Sequence, residues 1–185
     1  MRPAGYLINT RDGLQGEPGF IYDYILAENG LFIQARSPLL EARICIAEAV
    51  IRGLAPLEQK VSLPKGRIPN HIYQLALSVL YADRYRECYL AVTWDGEYHL
   101  KMPAQQRSEA KVVYDVIPNT VLDIHSHAAM GAFYSTGWDD PDEQGFRLSM
   151  VAGRLDTMVP EIEIRVGIYG YFASVAIAEV FDCTR

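Results

Sequence analysis

The chain has 185 residues, half of them hydrophobic and 22% charged, with a formal net charge of −6. That length can bury a core unaided and suits one domain with an elaboration. The acidic balance gives no electrostatic case for nucleic acid or an anionic membrane as partner. Cys45, Cys88 and Cys183 are odd in number and far apart, which suits reduced thiols better than a disulfide framework. The Cys-x-x-Cys spacing of a zinc ribbon is absent. The first residues carry no apolar signal core, and no uninterrupted apolar run approaches about 18 residues. The expectation is a soluble, cytoplasmic protein.

In chain order, the first third reads as β-rich. Segments 20–26 and 31–36 flank Ala27-Glu28-Asn29-Gly30, where Asn-Gly tolerates the positive φ of a tight hairpin turn. Segment 39–51 is ambiguous. Leu40, Ile44, Ala47 and Ile51 keep helical spacing, while Ile44 and Ile46 also fit a strand. Prolines and glycines among short apolar groups mark 52–69 as a connector. Pro69 then opens the clearest helix, with Ile72, Leu75, Ala76, Val79 and Leu80 in one apolar stripe. Segments 87–94 and 97–102 form a hairpin about Asp95-Gly96. Further strands are expected at 111–116, 121–127, 146–154, 161–169 and 174–181. No internal repeat or low-complexity tract is visible. One or two helices on a mixed sheet follow from this pattern.

The most telling residues are two of the four histidines, His125 and His127, in the run Val-Leu-Asp-Ile-His-Ser-His. Side chains alternate along a strand, so both rings point to one face, with Cα atoms about 6.5–7 Å apart. Two imidazoles so placed can lean onto one metal ion. A catalytic zinc takes three protein ligands and keeps a position for water. The acids after the strand, Asp139, Asp140, Asp142 and Glu143, offer the third; Asp139 is preferred, with Asp140 close behind. A carboxylate must also shuttle the water's proton. Glu87, at the start of a predicted strand, suits that role. Each feature has a plainer reading: a satisfied strand histidine, a solvated acidic turn or helix start, an exposed strand-edge charge.

Glu87, His125-Ser126-His127, Ser135 and Asp139 together resemble the JAMM motif of the JAB/MPN metalloprotease family, whose form is Glu, His-Ser/Thr-His-Pro, then Ser-x-x-Asp. The order of elements over roughly 65–182 is similar too. The block His-Ser-His-Ala-Ala-Met-Gly-Ala-Phe-Tyr-Ser with Asp-Asp-Pro-Asp-Glu-Gln-Gly-Phe-Arg-Leu, and the segments Gly-Leu-Ala-Pro-Leu-Glu and Arg-Val-Gly-Ile-Tyr-Gly, are similar to the prokaryotic branch called PRTRC system protein A. Two departures stand out. Ala128 replaces the proline after the second histidine, and Ser135 lies four residues before Asp139 instead of three, a step that Thr136 would restore.

The resemblance implies an α+β fold of the JAB/MPN, cytidine-deaminase-like kind, a mixed sheet with flanking helices. Residues 1–64 would be a β-rich extension and 65–185 the metalloprotease domain. It implies zinc held by His125, His127 and Asp139, Glu87 as general base, and Ser135 or Thr136 as oxyanion donor. It also implies a peptidase or isopeptidase acting on a ubiquitin-like protein or its conjugate, with a ThiF-like adenylating protein as a further partner. The competing reading is a non-catalytic MPN-type interaction module. A zinc deaminase would need His-x-Glu and Pro-Cys-x-x-Cys, which this chain lacks.

Overall fold

The computed structural model of the chain describes residues 2–108, 112–134 and 145–183. It is a mixed α+β fold dominated by strands. The N-terminal third folds into β1 (Ala4–Thr10), β2 (Gly13–Glu17), β3 (Tyr22–Ala27), β4 (Gly30–Arg36), β5 (Glu41–Glu48) and β6 (Lys60–Ser62). These make one sheet in the order β2-β1-β3-β4-β5-β6, antiparallel except for the parallel β1–β3 pair. The ambiguous segment is therefore a strand. β5 pairs on both sides, with β4 and β6, so its backbone groups are satisfied by the sheet. Leu40 and Ile44 are buried, but Ala47 of the helical stripe is exposed.

Both faces of this sheet are used. Ile33, Ala35, Ala42 and Ile44 enter the main core. Leu7, Ile25, Ala27 and Phe32 form a smaller core on the other side, with Leu57 packed against it. The segment carrying Leu57 is strapped down by polar bonds. Asn9 Nδ2 donates to the carbonyls of Ala55 and Pro56 at 3.1 and 3.0 Å, and Asn29 exchanges two bonds with the Leu57 backbone at 2.9 and 3.0 Å. The expected connector at 52–69 thus also contains β6, and ends in β7 (Ile68–Pro69).

The helix α1 (Asn70–Ala82) forms as the spacing requires. Pro69 stands just before it, and Ile72, Ala76 and Leu80 form its buried stripe. Leu75 is 49% exposed and does not belong to that stripe. After the helix come β8 (Tyr89–Trp94), β9 (Tyr98–Lys101), β10 (Gln105–Arg107), β11 (Val112–Tyr114), β12 (Thr120–Ser126), β13 (Phe146–Gly153), β14 (Glu161–Ile168) and β15 (Tyr171–Ser174). The second six-stranded sheet has the order β15-β14-β13-β12-β8-β9, and β10 and β11 form a separate two-stranded hairpin. The β12–β13 pair is parallel and its neighbours are antiparallel. A register shift between Thr120 and Leu122 turns Val121 into the core. Beyond it, Leu122 and Ile124 face the core while Asp123 and His125 face outward.

The expected last strand at 174–181 is instead broken into three. After β15, Ala176 N–H donates to the Glu179 carboxylate at 3.0 Å, which closes the single turn α2 (Ile177–Val180). Then β16 (Phe181–Asp182) pairs parallel to β7. Phe181 is fully buried against Tyr73 of α1, ring centres 4.7 Å apart.

One core runs from the N-terminal sheet through α1 to the inner face of the second sheet. Tyrosines join the sheets at one end: Tyr22 lies against Tyr169, and the Tyr24 and Tyr171 hydroxyls are 3.3 Å apart. Among the described residues no helix is long and apolar enough to cross a membrane. Because the core is shared, Ile44→Ala should lower the stability of the whole chain by about 2–5 kcal/mol. Urea unfolding followed by circular dichroism and by tryptophan fluorescence should shift together, since Trp94 and Trp138 both lie in the C-terminal two thirds. An early transition seen by only one probe would contradict a common core.

Candidate functional site

The inner face of the second sheet is spent on the core, so polar chemistry falls to its outer face. On β12 the two-residue period lines up Asp123, His125 and His127 there. His127 lies one residue past the strand, where its N–H still donates to the Ala152 carbonyl at 2.8 Å. Ser126 between the rings is buried and joins β12 to the entry of β8. Its N–H donates to the Cys88 carbonyl and its Oγ accepts from the Cys88 N–H, both at 2.9 Å. Cys88 itself is in the core, as its opposite parity to Glu87 predicts, and burial pushes its thiol up.

The antiparallel register pairs His125 with Tyr89. Beyond that pair the strands still meet at Ser126 and Cys88, and Glu87 is the next residue out from that contact. Glu87 precedes β8 rather than starting it, and its backbone is held from both sides. Its N–H donates to the Ser108 carbonyl at 2.8 Å, and its carbonyl accepts from Arg107 Nε at 2.8 Å. Arg107 is anchored in turn by Asp83 at 3.3 Å. The Glu87 side chain is half-buried, and loss of solvent pushes its carboxyl above the usual glutamate range. That is the direction a proton shuttle needs.

A second set of groups surrounds His125. The Tyr89 hydroxyl donates to Asp123 Oδ1 at 2.5 Å, and Arg147 stands 3.5 Å from Asp123 Oδ2. The Tyr89 ring stacks on Tyr114 with centres 3.5 Å apart and planes 4° apart. His125 meets both rings edge-on, and its Nε2 lies 3.1 Å from the Tyr114 hydroxyl. His127 packs edge-on against Phe133, centres 4.6 Å apart.

The loop after the histidines is tightly bound to the end of β13. Leu155 N–H donates to the Ala128 carbonyl at 2.9 Å and Arg154 N–H to the Met130 carbonyl at 2.6 Å. Gly153 permits this crossing: a Cβ there would stand 2.3 Å from Ala132 N. Ala128 adopts φ +49°, a conformation closed to proline. Proline therefore could not stand at this position. Further on, the Tyr134 hydroxyl donates to the Ser149 carbonyl at 2.7 Å, and Arg165 lies over its ring at 3.6 Å. The described start of the β12–β13 crossover, up to Tyr134, thus lies against the outer side of β13 and β14.

His125 and His127 follow the two-residue period of β12 on its outer face, and Glu87 stands just before the paired strand β8. Ser135, Thr136, Asp139 and Asp140 lie outside the described residues. Among the described residues no three His, Cys, Asp or Glu side chains gather closely enough to hold a metal ion. The donors at hand, two imidazoles of one strand, are of the kind zinc takes, and the crossover between Tyr134 and Gly145 carries the acids for a third. Sequence reasoning passed over Tyr89, Tyr114, Asp123 and Arg147. Asp123 was detectable, because it sits two residues before His125 and so shares its face. Tyr89 was too, two residues after Glu87. Family models, curated proteins and solved structures give no match to the chain.

The Glu87 environment has a consequence for stability. An acid raised by burial favours folding fully below the unfolded pKa of about 4.3, and that contribution is lost as pH rises through the higher folded value. Relative to its own low-pH difference from the wild type, Glu87→Gln should therefore gain in urea stability as pH rises from the unfolded pKa through the folded one, and the difference should then level off. A constant difference across the range would contradict the burial of this carboxyl.

Proposed function

We propose that the chain is a zinc-dependent hydrolase of peptide or isopeptide bonds, of the JAB/MPN type. The observation that carries the reading is the spacing of His125 and His127 along β12, with Glu87 just before the neighbouring strand β8. The element order and the quoted motif add to it. In this reading residues 65–185 form the hydrolytic domain and 1–64 an extension that closes the opposite side of the core.

His125 and His127 would hold the ion with Asp139 as third ligand, Asp140 being the alternative. Zinc, when bound, supplies a Lewis acid and lowers the pKa of its water towards about 7. Glu87 takes the proton of the attacking water and later delivers it to the leaving amine. Partial burial raises its carboxyl above the ordinary glutamate value, the direction that favours carrying a proton. A hydroxyl from Ser135 or Thr136 donates to the oxygen on which charge develops. Phe133 packs edge-on beside His127, on the loop that hydrogen bonds fix to the end of β13. The substrate is a ubiquitin-like protein or its conjugate, with a ThiF-like adenylating protein as a further partner.

Metal analysis and cleavage of a ubiquitin-like fusion test this together. One zinc per chain is expected, lost in His125→Ala and in Asp139→Ala. Glu87→Gln should keep the zinc and lose roughly 10²–10⁴-fold in hydrolysis. Zinc without hydrolysis in the wild type would leave a non-catalytic MPN-type module. No zinc at all would overturn the reading.

A further inference from the structure

Glu87 stands before β8, so the pairing of that strand does not by itself fix it. The β8–β9 pairing ends at Ala91 and Lys101. Beyond it the chain runs through Pro103, which has no N–H with which to continue a ladder. The buried Tyr89 still needs partners for its backbone N–H and carbonyl. Gln105 supplies both from one side chain. Its Oε1 accepts from the N–H at 2.9 Å and its Nε2 donates to the carbonyl at 3.0 Å. A primary amide carries a donor and an acceptor side by side, as a neighbouring strand would offer them. Two residues on, the same segment closes on Glu87. Arg107 Nε donates to the Glu87 carbonyl, and the Glu87 N–H donates to the Ser108 carbonyl, both at 2.8 Å. We infer that Gln105 is a positioning residue for Glu87: its amide fixes segment 105–108 along the entry of β8, and that segment holds the Glu87 backbone. This deepens the hydrolase reading and rests on it.

The backbone N–H and carbonyl of Glu87, Cys88 and Tyr89 are all bonded in this way. Those of Glu87 and Tyr89 go to segment 105–108, and those of Cys88 go to Ser126. The two sides differ in kind. Ser126 belongs to β12, which is laddered to β13 on one edge and β8 on the other. The strand that begins at Gln105 is laddered only to β11. Its place beside β8 therefore depends on these few polar contacts, and Gln105 uses both ends of its amide. Arg107 is tied from the other direction, to Asp83 just past α1. A base works only from a fixed position, since a misplacement of about 1 Å can lower a rate about 100-fold.

The placement can be read without substrate or metal. Gln105→Met keeps the length of the side chain and removes its polar head. Amide hydrogen exchange should quicken roughly tenfold at Glu87 as well as at Tyr89, while Val92, farther along β8, keeps its rate. Gln105→Glu keeps the acceptor and loses the donor, and should fall between. Faster exchange at Tyr89 alone, or at neither residue, in both variants would overturn the positioning role by itself. In cleavage of a ubiquitin-like fusion, Gln105→Met should lower kcat about 10–100-fold with KM and zinc content unchanged. In the Glu87→Gln background the same substitution should lower it no further, because it acts through that carboxylate. Equal losses in the two backgrounds would make Gln105 a general support of the fold and overturn the role. Absence of hydrolysis in the wild type would remove the hydrolase reading, and this inference with it.

Discussion

The site depends on the register between β8 and β12. Side chains alternate with a period of two, so a slip of one residue would send His125 and His127 into the core and Leu122 and Ile124 to the surface. Two features prevent the slip. Leu90, Val92, Leu122 and Ile124 are all essentially without solvent contact, and each contributes on the order of 1.5–3 kcal/mol by burial. At the open end the Ser126 hydroxyl takes the Cys88 N–H that the ladder would otherwise leave unsatisfied inside the protein. The residue between the two histidines is thus a structural lock, and a small hydroxyl is the side chain that fits it.

That lock divides the labour between the faces of the second sheet. Its inner face shares a core with α1 and the N-terminal sheet. Its outer face can then carry groups that would be costly inside. A buried carboxylate such as Asp123 is tolerated only when its oxygens are occupied, and Tyr89 and Arg147 occupy them. Desolvation acts in the opposite sense on Glu87, and the carboxyl holds its proton longer. The two acids thus differ in their neighbours: Asp123 is held by Tyr89 and Arg147, while burial raises the Glu87 carboxyl.

Much of this was legible in the sequence where a single period dominated. The i, i+4 repeat of Ile72, Ala76 and Leu80 yields α1, and the His-x-His spacing yields a shared face. Asp95-Gly96 turns as expected, with Gly96 at φ +118°. The failures came where local pattern and tertiary pairing disagreed. Helical spacing in 39–51 lost to strand partners on both sides, a fact no local window contains. The last strand was missed because Glu179 turns back to cap Ala176. The stacked tyrosines were missed because Tyr89 and Tyr114 are 25 positions apart and meet only when Gln105 docks its hairpin on β8. Motif reading found the groups that could touch an ion, and was blind to the groups that aim them.

The proposed site draws on little beyond the sheet: β12 spaces the two rings, and Arg107 of the β10–β11 hairpin holds the Glu87 carbonyl. X-ray absorption at the zinc edge is the most direct test of that site. Zinc-loaded protein should show two imidazole shells near 2.0–2.1 Å with oxygen donors completing a four-coordinate site. One shell should disappear in His127→Ala. A spectrum without histidine scattering, or one unchanged by that substitution, would contradict the shared face as a metal centre.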